Sequence, residues 1–531
     1  MNIHTAGHRR GAVCAPHSAA VEDGRDILAE GGNAIEAMIA MAASIAAVYP
    51  HMNHLGGDAF WLIREPNGKV RAIMGGGPAG AKATPRFYRE HGFDQIPPRG
   101  PLAVLTVPGA VATWIVAGEA ARSYRGRLPN DVLLSAAIRR ARDGYIVTRS
   151  QAQLTAEKLK ELEKVPGFAA AFLTDGKAPQ AGDKRTQTKL SETLDQLANA
   201  GFEDFYRGDV GAEIAADLER IGSPVTRADI EKFHAKIAEP LSVAVTGATL
   251  YNTPPPTQGL ASLMILALFE RLRVQQAEGF EHIHGLVEST KRAFLVRDRV
   301  VTDPTSITEK LDRFLTPGFL DVEAERIDRR RAATWPAPGA RGDTIWMGAT
   351  DSSGLVVSFI QSLYWEFGSG CVLPATGLVM QNRGASFSLE PKALNLLAPG
   401  RLPFHTLNPA IAVLKDGRVM AYGAMGGDGQ PQSQAAVFTR HVTFSEPLEQ
   451  AIDAPRWLLG RTWGSSHTNL RMEARFDGHL IDRLMAAGHD IDVLSDDYSD
   501  VMGHAGAAIL HPNSTCEAGH DPRADGGAAG V

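Results

Sequence analysis

From Ala34 to Tyr49 the chain reads AIEAMIAMAASIAAVY, a helix-length run with apolar residues on every face. An amphipathic helix can lie on a surface, but one that is apolar all round has to be covered on all sides. It is too short to span a bilayer and carries Glu36 and Ser44. The run therefore predicts a helix sandwiched between other elements, which restricts the fold to a layered architecture. A chain of 531 residues, 44% hydrophobic and 21% charged, has ample material for such a core.

Around this helix the pattern changes several times. EDGRDILAE reads as a first helix, broken at Gly31-Gly32 before the apolar one. FWLIREPNGKVRAIM reads as a hairpin turning at Asn67-Gly68. From about residue 108 to 235 the periodicity is helical, as in NDVLLSAAIRRARDG and TQTKLSETLDQLANAG, which end on glycine. ALFERLRVQQ and HGLVESTKRAFLVRDRVV continue it, with Glu288 and Arg292 spaced for an i,i+4 pair. The first three-fifths thus predicts one small sheet under many helices. Residues 324–343, AERIDRRRAATWPAPGARGD, lose the periodicity and gather prolines, glycines and arginines, the composition of an exposed mobile loop. Strands follow: TIWMGATD and LVVSFIQS flank Ser353-Gly354, and AIAVLKDGRVMAYGAM turns at Asp416-Gly417. Helices return at 446–453 and 477–488. Stacked antiparallel sheets between helical layers are the expected architecture.

Several function classes fall away. A net charge of -6 without a block of like charge gives no footprint for nucleic acid or a membrane surface, so a small-molecule or protein partner is expected. Cys14, Cys371 and Cys516 are odd in number and far apart, which suits neither a disulfide framework nor a zinc cluster and points to a reducing compartment. MNIHTAGHRRGAVCAPHS lacks the apolar run of a secretory signal, so a cytoplasmic location is expected. His282 and His284 in EHIHG lack an H-E-x-x-H frame, and no metal is expected. GGGPAG, Gly75 to Gly80, fits G-x-G-x-x-G, but Pro78 and the weak helix start behind it favour a tight turn where backbone passes close to a neighbour. No cofactor is expected. G-x-S-x-G does not occur.

PGARGDTIWMGATDSSG, residues 338 to 354, passes from the loose segment into a strand at Thr344. Two readings stand side by side. Thr344 can simply start a strand, a favoured place for a β-branched residue. Alternatively, a cut before Thr344 would leave an α-amine beside the residue's own hydroxyl. Such an amine, with a pKa of about 7.7–8.0, can serve as general base to that hydroxyl, and no histidine is then needed.

GRDILAEGGNAIEAMIA, PHMNHLGGDAFWLI, LTVPGAVATW, ARDGY, YNTPPPTQGLASLMIL, GDTIWMGATDSSG, SLYWEFGSG, MGGDGQPQ and DPRADGGAAGV resemble, in this order, the γ-glutamyltranspeptidase superfamily of N-terminal nucleophile (Ntn) hydrolases. The likeness runs from about residue 11 to the C-terminus. It implies an α+β fold, a four-layer αββα sandwich formed jointly by two subunits of one self-cleaved precursor. The cut would separate residues 1–343, ending in the loop 324–343, from residues 344–531, between Asp343 and Thr344. The resemblance makes Thr344 the nucleophile of both self-cleavage and catalysis, and Ser362 a hydroxyl that supports it. Gly426 and Gly427 match a glycine pair whose backbone N–H groups form an oxyanion hole.

Departures from the transpeptidase pattern fall where a γ-glutamyl group would be held. The arginine that binds its α-carboxylate is replaced by Gly76, a serine pair by His405 and Thr406, and an asparagine after the nucleophile by Tyr364. NQMDDF of the family becomes NRGASF, with Asn382 retained, Arg383 in place of glutamine and Ser386 in place of aspartate. A guanidinium where the family has acceptors for an ammonium favours a bound carboxylate. Arg383, His405, Thr406, Tyr364 and Asn382 are thus the expected substrate-binding set. The combination resembles the branch that hydrolyses oxamate to oxalate and ammonia in purine breakdown. A γ-glutamyl hydrolase or transferase, a cephalosporin-acylase-like amidase and an unprocessed non-catalytic scaffold are the alternatives. Partners expected are a small amide substrate and the two subunits themselves, with a higher homo-oligomer left open.

Overall fold

The computed structural model describes residues 1–335, 343–460 and 468–531. Two seven-stranded sheets, antiparallel throughout, lie face to face. In the first the order is Gly527–Gly530, Gly11–Ala15, Asp343–Asp351, Val356–Tyr364, Asp58–Arg64, Val70–Gly75 and Lys236–Ala238. In the second it is His4–His8, Cys516–His520, Ala505–Leu510, Val419–Ala424, Ala410–Leu414, Ala248–Asn252 and Leu241–Val245.

Side-chain alternation along the first sheet sorts its residues into two cores. Phe60, Leu62, Trp346 and Ile360 point to the second sheet and meet Ile411, Ala421 and Ala508. Trp61, Ile63, Ile345, Met347 and Phe359 point the other way, onto the helix Ala34–Val48. Both faces of these strands are covered, which is why TIWMGATD and VVSFIQSLY are nearly continuous in apolar residues. Every residue of Ala34–Val48 is buried, as its composition requires. Its one acid is at the N-terminus: Glu36 accepts the Asn33 N–H at 2.9 Å while Asn33 Oδ1 accepts the Glu36 N–H at 3.0 Å, a reciprocal cap. The helices Gly259–Arg271, Phe280–Val300 and Gln430–Phe438 share the core on the outer side of the second sheet. The result is the four-layer αββα arrangement. Among the described residues no helix is long and apolar enough to cross a membrane.

Three expectations need correction. The first three-fifths does not carry one sheet: His4–His8, Leu241–Val245 and Ala248–Asn252 belong to the second sheet. LSVAVTGATLYN is a short hairpin turning at Thr246-Gly247, and its brevity hid it among helices. Glu288 pairs with Lys291 at 2.7 Å rather than with Arg292, which pairs with Glu323. The difference is burial, since Glu288 and Lys291 point inward and together hold both polar groups of the Ala333 backbone. That contact, with Ala332 N–H donating to Ala487 O at 2.8 Å, ties down the early part of the expected loop, whose residues 336–342 lie outside the described residues.

Candidate active site

The strand Asp343–Asp351 pairs regularly with Val356–Tyr364 from Thr350↔Val356 to Ile345↔Gln361, and then the register shifts to Asp343↔Tyr364. Ser362 and Leu363 therefore face the single residue Thr344, which is a β-bulge. Tyr364, at its end, has φ 85°, a conformation that costs an aromatic residue energy and that the surrounding packing must maintain. The bulge turns Ser362 toward the threonine. Thr344 is fully buried, and its Oγ1 donates to Ser362 Oγ at 3.2 Å. Ser362 Oγ also accepts the Tyr364 N–H at 2.8 Å. Gly57 leaves the room for this, since a Cβ there would lie 2.2 Å from the Ser362 carbonyl oxygen.

From the second sheet, the strand Val419–Ala424 ends in Gly426 and Gly427, both with positive φ (112° and 54°), and turns into the helix Gln430–Phe438. Gln430 Nε2 donates to Thr344 Oγ1 at 3.4 Å, which brings this turn against the threonine. Asp428 Oδ1 accepts from Arg297 Nη1 at 2.7 Å, and Arg297 also donates to Gln258 Oε1 at 2.8 Å. Gln258 Nε2 donates in turn to Gly427 O at 2.9 Å and to Thr406 O at 2.6 Å. One buried network thus fixes the glycine pair and the His405-Thr406 segment relative to each other.

Arg383 is fully buried, with its guanidinium 3.9 Å from the centroid of the Tyr364 ring. Nη1 donates to Thr406 Oγ1 at 3.4 Å, while Nε and Nη2 have no hydrogen-bond partner among the described residues. Burial draws its pKa down to about 10, against the pull of Tyr364 and Asp58. His405 lies edge-on to Phe60, and neither ring nitrogen has a hydrogen-bond partner among the described residues, although Nε2 stands 3.3 Å from Asp58 Oδ2. Burial, then Arg383, holds it well below the usual histidine range, so it is a neutral imidazole at neutral pH. A Cβ on Gly76 would come within 3.0 Å of His405 Nε2, so the imidazole stands close against the glycine. Asn382 is not aimed at this space: its Oδ1 accepts the Trp365 N–H at 3.1 Å and its Nδ2 donates to Pro98 O at 2.8 Å, so it braces the loop that carries Arg383.

The structure thus brings Thr344, Ser362, Gly426, Gly427, Tyr364, Arg383, His405 and Thr406 to one buried region at the ends of both sheets. Residues that the sequence reasoning missed are Gln258, Gln430, Gln381 and Asp58. Asp58 carried a signal, being an acid at the head of the otherwise apolar strand Asp58–Arg64. Elsewhere, His284, Glu288 and His489 place one potential ligand atom each within 4.8 Å of one another. His284 and His489 are hydrogen-bonded to each other at 2.8 Å, however, and the Lys291 ammonium occupies Glu288, so a cation would have to displace one.

A sequence model for the family described as Gamma-glutamyltranspeptidase matches residues 20–531. The chain belongs to the gamma-glutamyltranspeptidase family. Relatives in the gamma-glutamyltranspeptidase family include an oxamate amidohydrolase proenzyme of Klebsiella pneumoniae, 51% identical over 521 residues and 98% of each chain. A glutathione hydrolase-like proenzyme of Bacillus subtilis is 38% identical over the whole of both chains. Among solved structures, a cephalosporin acylase from Bacillus halodurans superposes with a TM-score of 0.91 at 30% identity, covering 100% of this chain and 97% of the other. The αββα sandwich is accordingly that of the Ntn hydrolases, and the chain is an enzyme of this amidohydrolase and transferase group.

Proposed function

We propose that this gamma-glutamyltranspeptidase-family chain is a self-processing amidohydrolase of small carboxylate-bearing amides, with oxamate as its substrate. In the precursor, Thr344 Oγ1 attacks the Asp343 carbonyl carbon, and the peptide becomes an ester. Water then hydrolyses the ester, leaving residues 1–343 and 344–531 as large and small subunits. The freed Thr344 amine takes the proton of its own hydroxyl as that oxygen attacks the substrate amide. The Gly426 and Gly427 N–H groups receive the oxyanion, a contribution of about 2.7–4 kcal/mol for each donor. The proton passes to the leaving nitrogen, ammonia departs, and a second water cleaves the acyl-threonine to oxalate.

The observation that carries the substrate class is Arg383, a buried guanidinium beside a neutral imidazole, with two nitrogens that have no hydrogen-bond partner among the described residues. Such a group gains most from a carboxylate and is least compatible with an ammonium. The close approach of His405 to Gly76 further argues against a substrate held as a γ-glutamyl group is held. Support also comes from the 51% identical relative, whose name is oxamate amidohydrolase proenzyme.

Mass spectrometry of the purified protein tests the first part, with a small fragment beginning at Thr344 expected and an uncut Thr344→Ala variant. Assay of ammonia release from oxamate, against release from a γ-glutamyl anilide, tests the second. Preference for the anilide would overturn the substrate assignment, and an intact 343–344 bond in active enzyme would overturn the mechanism.

A further inference from the structure

Asp58 has no part in the reaction above, yet it lies beside Ser362 and His405. It is fully buried at the head of its strand, directly across from Ser362. Oδ1 accepts the Gly77 N–H at 3.0 Å and Gln381 Nε2 at 3.1 Å. Oδ2 has no hydrogen-bond partner among the described residues and lies 3.3 Å from His405 Nε2. A carboxyl, an imidazole and a guanidinium are therefore gathered in one buried region, where Oδ2 and Nε2 face each other at 3.3 Å while Nδ1 and two Arg383 nitrogens have no hydrogen-bond partner among the described residues. Buried polar atoms left so cost free energy unless a polar ligand meets them.

Charge decides what that ligand can be. Arg383 attracts a carboxylate, but an ionised Asp58 in the same low-dielectric pocket repels it. We propose that Asp58 is the specificity-determining residue of this site: it takes up one proton as a carboxylate binds Arg383, and its ionised form excludes that ligand. The inference rests on the carboxylate-amide reading. The proton comes from solvent and bonds to Oδ2. It is shared with Nε2 of neutral His405, whose Nδ1–H is then directed to the bound anion. No other bond changes.

The electrostatics of the free site agree. Burial raises the Asp58 pKa to about 7, against Arg383, Gln381 and the N–H groups of Gly77 and Gly109. The titratable groups facing it are few among the described residues. His405 comes from the segment before the strand Ala410–Leu414, and Arg383 from the turn Arg383–Ser386. Tyr206 comes from the helix Asp204–Arg207, with its hydroxyl held by Pro108 O and Ala112 N and its pKa raised by burial and, to a lesser degree, by Asp58. Tyr364 lies beneath Arg383. A bound anion raises the Asp58 pKa further. Affinity for a carboxylate is then complete below about pH 7 and falls by up to about tenfold per pH unit above it.

Calorimetric titration of the mature protein with oxalate, which stays a dianion throughout, measures this directly when run in buffers of different ionisation enthalpy from about pH 6 to about pH 9. Uptake rising toward about one proton per site above pH 7 is expected. In Asp58→Asn the uptake should vanish and the dissociation constant lose its pH dependence. Oxalate binding without proton uptake in the wild-type protein overturns the inference alone, as does equal uptake in the variant. The wild-type result decides even if Asp58→Asn does not fold. Absence of both oxalate binding and oxamate turnover, with a γ-glutamyl anilide cleaved, overturns the substrate reading and this inference with it.

Discussion

Thr344 Oγ1 donates to Ser362 Oγ at 3.2 Å, and that same oxygen accepts the Tyr364 N–H at 2.8 Å. One serine hydroxyl thus orients the threonine and closes the bulge that puts it there. Ser362→Ala removes both contacts and leaves a buried N–H without its acceptor, at a cost of about 1–3 kcal/mol in stability. Maturation should slow by about tenfold, the equivalent of one hydrogen bond at the nucleophile. A time course on denaturing gels with thermal unfolding of the same samples reads both. Maturation at the wild-type rate would show that Ser362 does not orient Thr344.

Arg383 offers a test in which activity and stability part company. Its guanidinium is buried on the Tyr364 ring with two nitrogens that have no hydrogen-bond partner among the described residues, so it is held at a desolvation cost. Arg383→Met fills a similar volume without that cost and should leave thermal stability unchanged or raised. Oxamate turnover should fall by about 10- to 150-fold in kcat/KM, the value of a charge-assisted hydrogen bond of about 1.5–3 kcal/mol. Arg383→Lys should recover little, because an ammonium neither stacks nor forks as a guanidinium does. Unchanged oxamate kinetics in Arg383→Met would remove Arg383 from the binding set.

The sequence carried the layers more clearly than the connections between them. The all-round apolar helix Ala34–Val48 could only be sandwiched, and the nearly unbroken strands around Thr344 could only be central, so the four layers were legible. The hairpin Leu241–Asn252 was not, because strands of five residues inside helical surroundings give period 2 too few repeats to register. At the site, Thr344 and the Gly426-Gly427 pair could be singled out because a motif is local in sequence, and the structure brings them to one region through Gln430. Gln258, Gln381 and Asp58 were not, since each acts through partners more than a hundred residues away or across a sheet. Asn382 shows the converse: its motif put it in the expected substrate-binding set, while the Trp365 and Pro98 backbone that engages its amide is invisible in the sequence.

Trp346, two residues beyond Thr344, couples the core between the sheets to the site. Its indole is 1% exposed, donates to Ser358 Oγ at 3.0 Å and lies against three glycines. A Cβ would come 2.1 Å from its ring at Gly423, 2.7 Å at Gly506 and 2.8 Å at Gly348. Gly423→Ala therefore forces a rigid ring, not a flexible chain, to move, and should destabilise by about 1–3 kcal/mol. Because the displaced ring is on the nucleophile's own strand, self-cleavage should slow as well. Chemical denaturation and a maturation time course check the pair, and an unchanged midpoint would mean the slot is looser than its geometry.

Acid should destabilise the fold from well above the carboxylate range. Burial is the first cause that lowers His54, His282 and His520 from 6.5 to about 3. In the unfolded chain each titrates near 6.5. Their contribution is fully present above that value and is lost as pH falls through the window from 6.5 to about 3, by about 1.4 kcal/mol per pH unit for each histidine. Asp58 has the opposite sign: with its pKa raised from 3.8 to about 7, the folded state binds the extra proton between those values and gains stability as pH falls. The histidines that burial lowers, which also include His17, His51, His405 and His489, outnumber the carboxyls that burial raises, Asp58, Asp351, Glu446 and Asp525, so the net slope is toward acid unfolding. Denaturation midpoints of the mature protein should drop between about pH 6.5 and about pH 5. His520→Gln should reduce the slope by one histidine's share and Asp58→Asn should steepen it. A midpoint that stays flat across that interval would show that these rings are already protonated in the folded protein.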